Sequence, residues 1–265
     1  MKLLSKELLL NTGVSEWTPA EYKSSLGEKY WNSLTYGNNI FVALGESGYI
    51  STSTDGITWT SATYVANLGN RSWQSIIYAG NKFIALTLNG YISTSTDGTN
   101  WLPASQITNL GSHNWRCLTY YGGKYIAIGQ SGYISTSIDG TTWTSATYVA
   151  NLGSNLWYGI VGKSIDSFVA LGYNGAVSTG TDTNWAVATD NANLGENEWQ
   201  SILKVGNEFY ALAIDGYIST STDGTTWKQA KKSPRLGENA WGDLSTDDTN
   251  IVALSYTGYI STKRI

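Results

Sequence analysis

The chain is a succession of short runs in which apolar residues alternate with small polar ones, broken every few positions by Gly, Asn or Asp. The stretch from Leu68 to Asn109 shows the pattern. Trp73-Gln74-Ser75-Ile76-Ile77-Tyr78 reads as a strand, Ala79-Gly80-Asn81 as a turn, and Lys82-Phe83-Ile84-Ala85-Leu86 as a second strand. A turn at Leu88-Asn89-Gly90 leads into Tyr91-Ile92-Ser93-Thr94-Ser95, a third strand. Asp97-Gly98 reads as a hairpin turn, and Asn100-Trp101 opens a fourth strand. Runs this short, rich in Ile, Tyr, Thr and Trp and bounded by turn formers, predict strands rather than helices. No segment carries a long helical period; residues 1–8 are the one candidate for a short helix or a loosely packed extra strand.

The pattern recurs almost verbatim. The phrase from Gly48 to Trp59 returns at Gly90, Gly132 and Gly216, in degraded form at Gly175, and cut short at Gly258. The period is 42 residues, with one step of 43 and one of 41. Four strands in a unit of this length make a propeller blade, and one blade alone cannot bury both of its faces. Two tryptophan series step by 42: Trp31, Trp73, Trp115, Trp157, Trp199, Trp241, and Trp17, Trp59, Trp101, Trp143, Trp185, Trp227. The last unit, Leu236 to Ile265, holds three strands and lacks its second Trp, while Trp17 stands where a unit before the first would place it. The prediction is an all-β, six-bladed β-propeller with four antiparallel strands per blade. The segment Trp17 to Tyr22 supplies the outer strand of the last blade, which removes an open edge. One domain is expected over residues 1–265: an extension at 1–16, residues 17–25 completing the last blade, and blades starting near 26, 68, 110, 152, 194 and 236.

Composition adds little to the fold and more to the exclusions. Charged residues are 14% and aromatics 13%, so a core is easily supplied and disorder is not expected. The formal charge is −4, and no basic run exceeds Lys231-Lys232, which leaves no nucleic-acid footprint. The single Cys117 excludes an internal disulfide and a Cys-based zinc site. Lys6 and Glu7 interrupt the apolar N-terminal run, and no small-residue cleavage site follows, so a signal peptide is not expected. No stretch approaches the ~20 apolar residues of a membrane helix.

Ser53-Thr54-Asp55-Gly56-Ile57-Thr58-Trp59 resembles an Asp-box, or BNR repeat, the Ser-x-Asp-x-Gly-x-Thr-Trp hairpin of lectin, sialidase-like and phage-tail-associated propellers. The resemblance covers five hairpins; Gly follows Asp directly here, and Thr181-Asp182-Thr183-Asn184-Trp185 lacks the Gly. The residues themselves give the motif a structural role, in which Asp55, Asp97, Asp139, Asp182 and Asp223 accept backbone N–H groups in tight turns. One carboxylate per hairpin falls short of the roughly six to eight oxygens calcium takes. No metal and no cofactor are expected.

For an enzyme, the sialidase resemblance implies three arginines clamping a carboxylate, a Tyr nucleophile paired with a Glu, and an acidic proton donor. Arg71, Arg116, Arg235 and Arg264 offer no three in matching positions. His113 and Cys117 flank Trp115, but Cys117 stands where other units have Ser33, Ser75 and Ser201, an inward strand position. Near-identical blades suit several similar weak sites better than one catalytic centre. The expected function is therefore non-enzymatic binding of a glycan or surface receptor, with phage tails and bacterial adhesion among the settings the resemblance implies. Virion-associated or extracellular placement goes with that reading, and cytoplasmic placement without it. The alternatives are an interaction propeller engaging other proteins of a larger assembly and, more weakly, a degenerate sialidase-like glycosidase. The candidate site lies on the face of the blade-to-blade linkers, opposite the Asp–Gly hairpins. Trp31, Trp73, Trp115, Trp157, Trp199 and Trp241 are candidates to stack on sugar rings there, with Asn70, Arg71, His113, Asn155, Asn197 and Asn239 bonding hydroxyls.

Overall fold

The computed structural model describes residues 16–164 and 166–265. The expectation of a helix or extra strand at residues 1–8 lies outside the described residues. The strands pair into six antiparallel sheets of four. In the first blade these are Trp31–Gly37, Ile40–Gly45, Tyr49–Ser53 and the outer strand Thr63–Tyr64. Each inner strand packs against the inner strands of two neighbouring blades, the first against the sixth included, which makes the array a closed propeller.

Closure comes from the N-terminal segment. Glu21–Tyr22 pairs with Tyr259–Arg264 in the register Glu21↔Ile260 and Tyr22↔Tyr259. Ahead of it, Thr18 N–H donates to Thr262 O at 2.7 Å, and Trp17 packs with Trp241 and Leu244 in the last blade's core. The outer strands are shorter than the sequence suggests. Trp101 makes only a single bridge, to Ser95; the chain then leaves the sheet and pairs again at Ser105–Gln106. The two irregular steps of the repeat offset each other around blade four. That blade has an extra bulge between Gly162 and Ser164, and its hairpin before Trp185 is one residue short.

Four hairpins are braced alike. In the first, Ile57 and Thr58 N–H donate to Asp55 Oδ1 at 2.8 and 2.7 Å, and Ser53 Oγ accepts from Gly56 N–H at 2.8 Å. Trp59 Nε1 then donates to Gly56 O at 3.2 Å, seating the indole under the turn. Asp97, Asp139 and Asp223 repeat the geometry. Asp182 does not. With no Gly in its turn, the hairpin closes through Thr181 N–H to Asn184 O at 2.9 Å, and Asp182 pairs with Lys124 of the preceding blade at 2.6 Å. The leading glycine of the phrase has a separate cause. Gly48 sits at φ +79, and a Cβ there would come within 2.7 Å of Gly69 O in the next linker.

Blades are joined at both radii. At the rim, Asn67, Asn109, Asn151 and Asn193 donate through Nδ2 to the carbonyls of Trp101, Trp143, Trp185 and Trp227, between 2.7 and 2.9 Å. At the axis, Ser33 Oγ accepts from Ile76 N–H at 3.1 Å and Ser75 Oγ from Leu118 N–H at 3.0 Å. Cys117 Sγ meets the Ile160 amide in the same way. Ser201 Oγ accepts from Leu244 N–H at 3.2 Å. At the seam the residue is Asp243. Its carboxylate accepts from Ser201 Oγ (2.7 Å), Leu244 N–H (2.8 Å), Ser33 Oγ (2.9 Å) and Leu34 N–H (2.8 Å), tying blades five, six and one. Burial pushes this carboxyl above its usual range, against the hydrogen bonds that favour its charged form.

Asp243→Ala should cost about 2 kcal/mol, because the Leu34 and Leu244 amides lose an acceptor. Asp243→Ser, restoring the residue other blades use, should cost less; urea unfolding of the two variants measures the difference. The hairpin carboxyls predict an acid dependence of opposite origin. Backbone N–H donors, Thr142 first, hold Asp139 below its free value of 3.8. The stability it adds is therefore full above that value and is lost as pH falls below it, through the lower value of the folded state. Asp139→Asn keeps the acceptor but not the charge, and should flatten this part of the acid unfolding curve.

Candidate axial binding site

Each inner strand carries one residue too many. Pairing in the first blade runs Trp31↔Gly45 and then Ser33↔Leu44, which leaves Asn32 unopposed. The same shift follows Trp73, Trp115, Trp157, Trp199 and Trp241. Such a bulge re-aims its extra side chain out of the strand's alternation. The extra residues are Asn32, Gln74, Arg116, Tyr158, Gln200 and Gly242, and all line one cavity of about 360 Å³ at the linker-side mouth of the axial channel. Tyr30 and Glu198, each just before a buried Trp, add to its wall, as do Glu46, Tyr173 and Tyr256 from turns after second strands.

The side chains in this mouth are organised around two clusters. Arg116 Nη1 donates to Gln74 Oε1 at 2.6 Å, and its guanidinium lies 4.9 Å over the Tyr158 ring. Gln130, with its amide turned to suit its neighbours, accepts from Arg116 Nε at 3.1 Å and Nη2 at 3.0 Å. These partners are neutral, and Arg116 is in no ion pair among the described residues. Opposite, Tyr30 and Tyr256 stack at 4.6 Å with planes 12° apart. Tyr256 Oη donates to Gln200 Oε1 at 2.6 Å. Gly242 makes room for that ring, since a Cβ there would come within 2.8 Å of Tyr256 Cε1. Burial pushes the Tyr256 hydroxyl above its usual range. Burial and a hydrogen bond to Glu198 push Tyr173 up to about 12. The mouth therefore offers hydrogen-bond donors, one fixed cation, two carboxylates and tyrosine faces. Such a set has the chemistry to meet both polar and apolar groups of a ligand; among the described residues no group of three or more His, Cys, Asp or Glu stands together to hold a metal ion.

The residues singled out from sequence lie elsewhere. Trp31, Trp73, Trp115, Trp157, Trp199 and Trp241 are each 0% exposed, packed in the core between blades, so no indole face reaches a ligand. Flat repeated aromatics serve here as wedges. Arg71, Asn155, Asn197 and Asn239 act alike as linker caps, each donating back to the linker leucine carbonyl three residues earlier, at 2.6 to 3.0 Å. Arg71 also lies 4.5 Å over Tyr91. His113, at the same station, stacks on Tyr133 at 3.8 Å, and Asn70 is exposed on the linker beside Arg71. His113 and Cys117 do not form a nucleophile pair: the Cys117 thiol is pushed up to about 12 by burial and faces Leu118 O. Sequence reasoning misses the bulge residues, Arg116 among them. A signal for them is present, because the position after each first-series Trp differs between almost all repeats.

The fold and this mouth define a six-bladed propeller with a polar axial pocket. Solved structures share the fold. YCF48 bound to a D1 peptide aligns with a TM-score of 0.60 at 18% identity, over 89% of this chain and 77% of that one. The H270A variant of virginiamycin B lyase from Staphylococcus aureus, described as catalytically inactive and bound to quinupristin, aligns at 0.66 and 10% identity, over 94% and 100%. BamB from Moraxella catarrhalis aligns at 0.53 and 11% identity, over 89% and 83%. At these identities the likeness is one of fold. No family model and no curated protein matches the chain.

Trp73→Ala should cost about 3–5 kcal/mol, the range for a buried Trp truncation. Gln74→Ala, one residue on, should change stability by no more than about 0.5 kcal/mol. Guanidinium unfolding of the two variants tests whether the wedge and the mouth are energetically separate.

Proposed function

We propose that the chain is a non-enzymatic interaction propeller that receives a segment of a protein partner in the axial mouth on its linker face. The observation that carries this reading is where the repeats differ. Around the bulge, the Trp before it never changes, and a Leu or Ile stands two residues beyond it in every blade. The bulge column itself runs Asn, Gln, Arg, Tyr, Gln, Gly. Six blades thus place unlike side chains around one pocket, which suits one asymmetric ligand. Tyrosine and arginine lining, with amides beside them, matches the composition of protein-binding hot spots. A peptide complex in the similarly folded YCF48 supports the same kind of occupant. In the lyase, the inactive variant is one that lacks a histidine, whereas the single His113 here lies off the mouth, against Tyr133. The Asp–Gly hairpins we read as shortened Asp-box turns that brace the opposite face.

Selection of a phage-displayed random dodecapeptide library on the chain tests this. Enriched peptides should bind Arg116→Ala and Tyr256→Ala at least tenfold more weakly, a loss of about 1.4 kcal/mol, and bind Asn155→Ala as well as the parent. Specific glycan binding on an array, lost in the Arg116→Ala variant, would replace the protein partner with a sugar. Turnover of a glycoside would overturn the non-enzymatic reading.

A further inference from the structure

A second departure from the repeat lies on the outer rim, between blade five and the N-terminal segment that closes blade six. A groove of about 580 Å³ runs there, with Trp17, Ile218 and Pro234 among its lining residues. Lys228, Lys231, Lys232, Arg235 and Lys263 also line it, against one carboxylate, Glu16. Five of the chain's 16 basic residues thus gather on a protein of net charge −4.

The clustering belongs to this blade alone. Where blade five has Lys228, the other outer segments have Thr60, Leu102, Thr144, Ala186 and Thr18. Where it has Lys231, they have Thr63, Ser105, Thr147, Thr189 and Glu21. Lys263 replaces the hairpin serine of blades such as the first and second, Ser53 and Ser95. Strand pairing does not require these charges, because the outer strand forms in every blade without them. Part of the charge is met within the chain: Lys232 pairs with Glu238 at 2.6 Å, Arg235 with Glu16 at 2.9 Å, and Lys228 with Glu208 at 3.4 Å. Lys231 and Lys263 are in no ion pair among the described residues. Lys263 is half-buried over the Tyr210 ring at 4.9 Å, and burial lowers its ammonium below the usual lysine range. A carboxylate arriving beside it would favour its charged form.

We propose that this groove is a second docking site and that its occupant is an acidic segment of a partner protein, with apolar side chains interspersed among its carboxylates. The cations select the charge, and the apolar lining selects the interspersed hydrophobes. Nucleic acid fits less well. Trp17 is only 7% exposed, leaving no aromatic platform for a base, and the net negative charge of the chain repels a long polyanion. The chain's own residues 1–15 carry Lys2 and Lys6 against Glu7, the same sign as the groove.

The probe is a fluorescein-labelled octapeptide of alternating Glu and Leu, titrated against the full chain by fluorescence anisotropy at low ionic strength. A Lys/Leu octapeptide and an unlabelled oligothymidylate competitor run beside it. The Glu/Leu peptide should bind and the Lys/Leu peptide should not. Lys228→Glu with Lys231→Glu should weaken binding at least tenfold while the chain keeps its cooperative melting transition, the exposed Lys228–Glu208 pair it breaks being worth little stability. The matching change on blade three, Thr144→Glu with Thr147→Glu, should leave affinity unaltered, which separates this groove from the axial mouth and from general charge. Added salt should weaken the complex, since the cations are near the surface. The proposal fails if the Glu/Leu peptide does not bind, or if it binds the blade-five variant as well as the parent. It also fails if oligothymidylate displaces the peptide at lower concentration than unlabelled Glu/Leu peptide does.

Discussion

Six blades around an axis leave six inner strand edges facing one another across a channel, and the N–H groups of those edges must be met. An unpaired strand edge is costly when buried and adhesive when open. The ring meets this demand by having each inner strand reach for the next. Ser33 takes the amide of Ile76, Ser75 that of Leu118, and Ser201 that of Leu244. Gly159 has no side chain to offer, and Ile202 fills the space, its Cγ2 standing 2.7 Å from where a Cβ would be. The seam is the hardest link, because the two blades there come from opposite ends of the chain. Asp243 accepts four hydrogen bonds at that point, two from hydroxyls and two from amides. A carboxylate with two oxygens spans three blades where a hydroxyl would span two.

The same geometry separates what varies from what does not. Each bulge places its extra residue outside the ladder, so Asn32, Gln74, Arg116, Tyr158, Gln200 and Gly242 hold no strand pair. Their identity is therefore not set by the ladder, although Gly242 is held to a small residue by the Tyr256 ring. The Trp before each is wedged in the core, and truncation there leaves a cavity. Repeated wedge and variable bulge are adjacent in sequence but differently placed, one in the core between blades and the other at the axial mouth.

This adjacency explains what could be read in the sequence and what could not. The period, the two tryptophan series and the missing outer strand of the last unit all repeat, so closure by Trp17 to Tyr22 was legible. The bulges were not. Strand reading assumes a strict alternation, and no Gly or Pro marks the break at Gln74 or Arg116. An indole beside variable polar residues has the composition of a sugar platform, yet 0% exposure follows only from how neighbouring blades pack. Arg71, Asn155, Asn197 and Asn239, among the polar residues assigned to that platform, are turn caps, because a side chain three residues past a leucine carbonyl can reach it. The axial mouth and the linker caps share the face opposite the hairpins but differ in radius: the mouth lies at the axis and the caps in the linkers.

Some departures from the repeat fall where the last blade is closed by the N-terminal segment. Lys263 stands where hairpin serines such as Ser53 and Ser95 brace other turns. Its outer strand is borrowed, so Glu16 and Trp17 enter beside Arg235 rather than after a hairpin of their own. Asp243 replaces serine at the same seam. In the closed ring each internal blade is held by two equivalent neighbours, and a change that suits one contact must suit the repeat's common geometry. At the seam the contacts are unique, so a charge can be accommodated by local partners, as Arg235 is by Glu16 at 2.9 Å. Of the basic rim, Lys263 and the Arg235–Glu16 pair belong to this closure, whereas Lys228, Lys231 and Lys232 lie on the outer segment of blade five. Closing a ring with a strand from each side of the repeat array creates a boundary whose contacts occur once, and Asp243 with its four hydrogen bonds is the residue fitted to it.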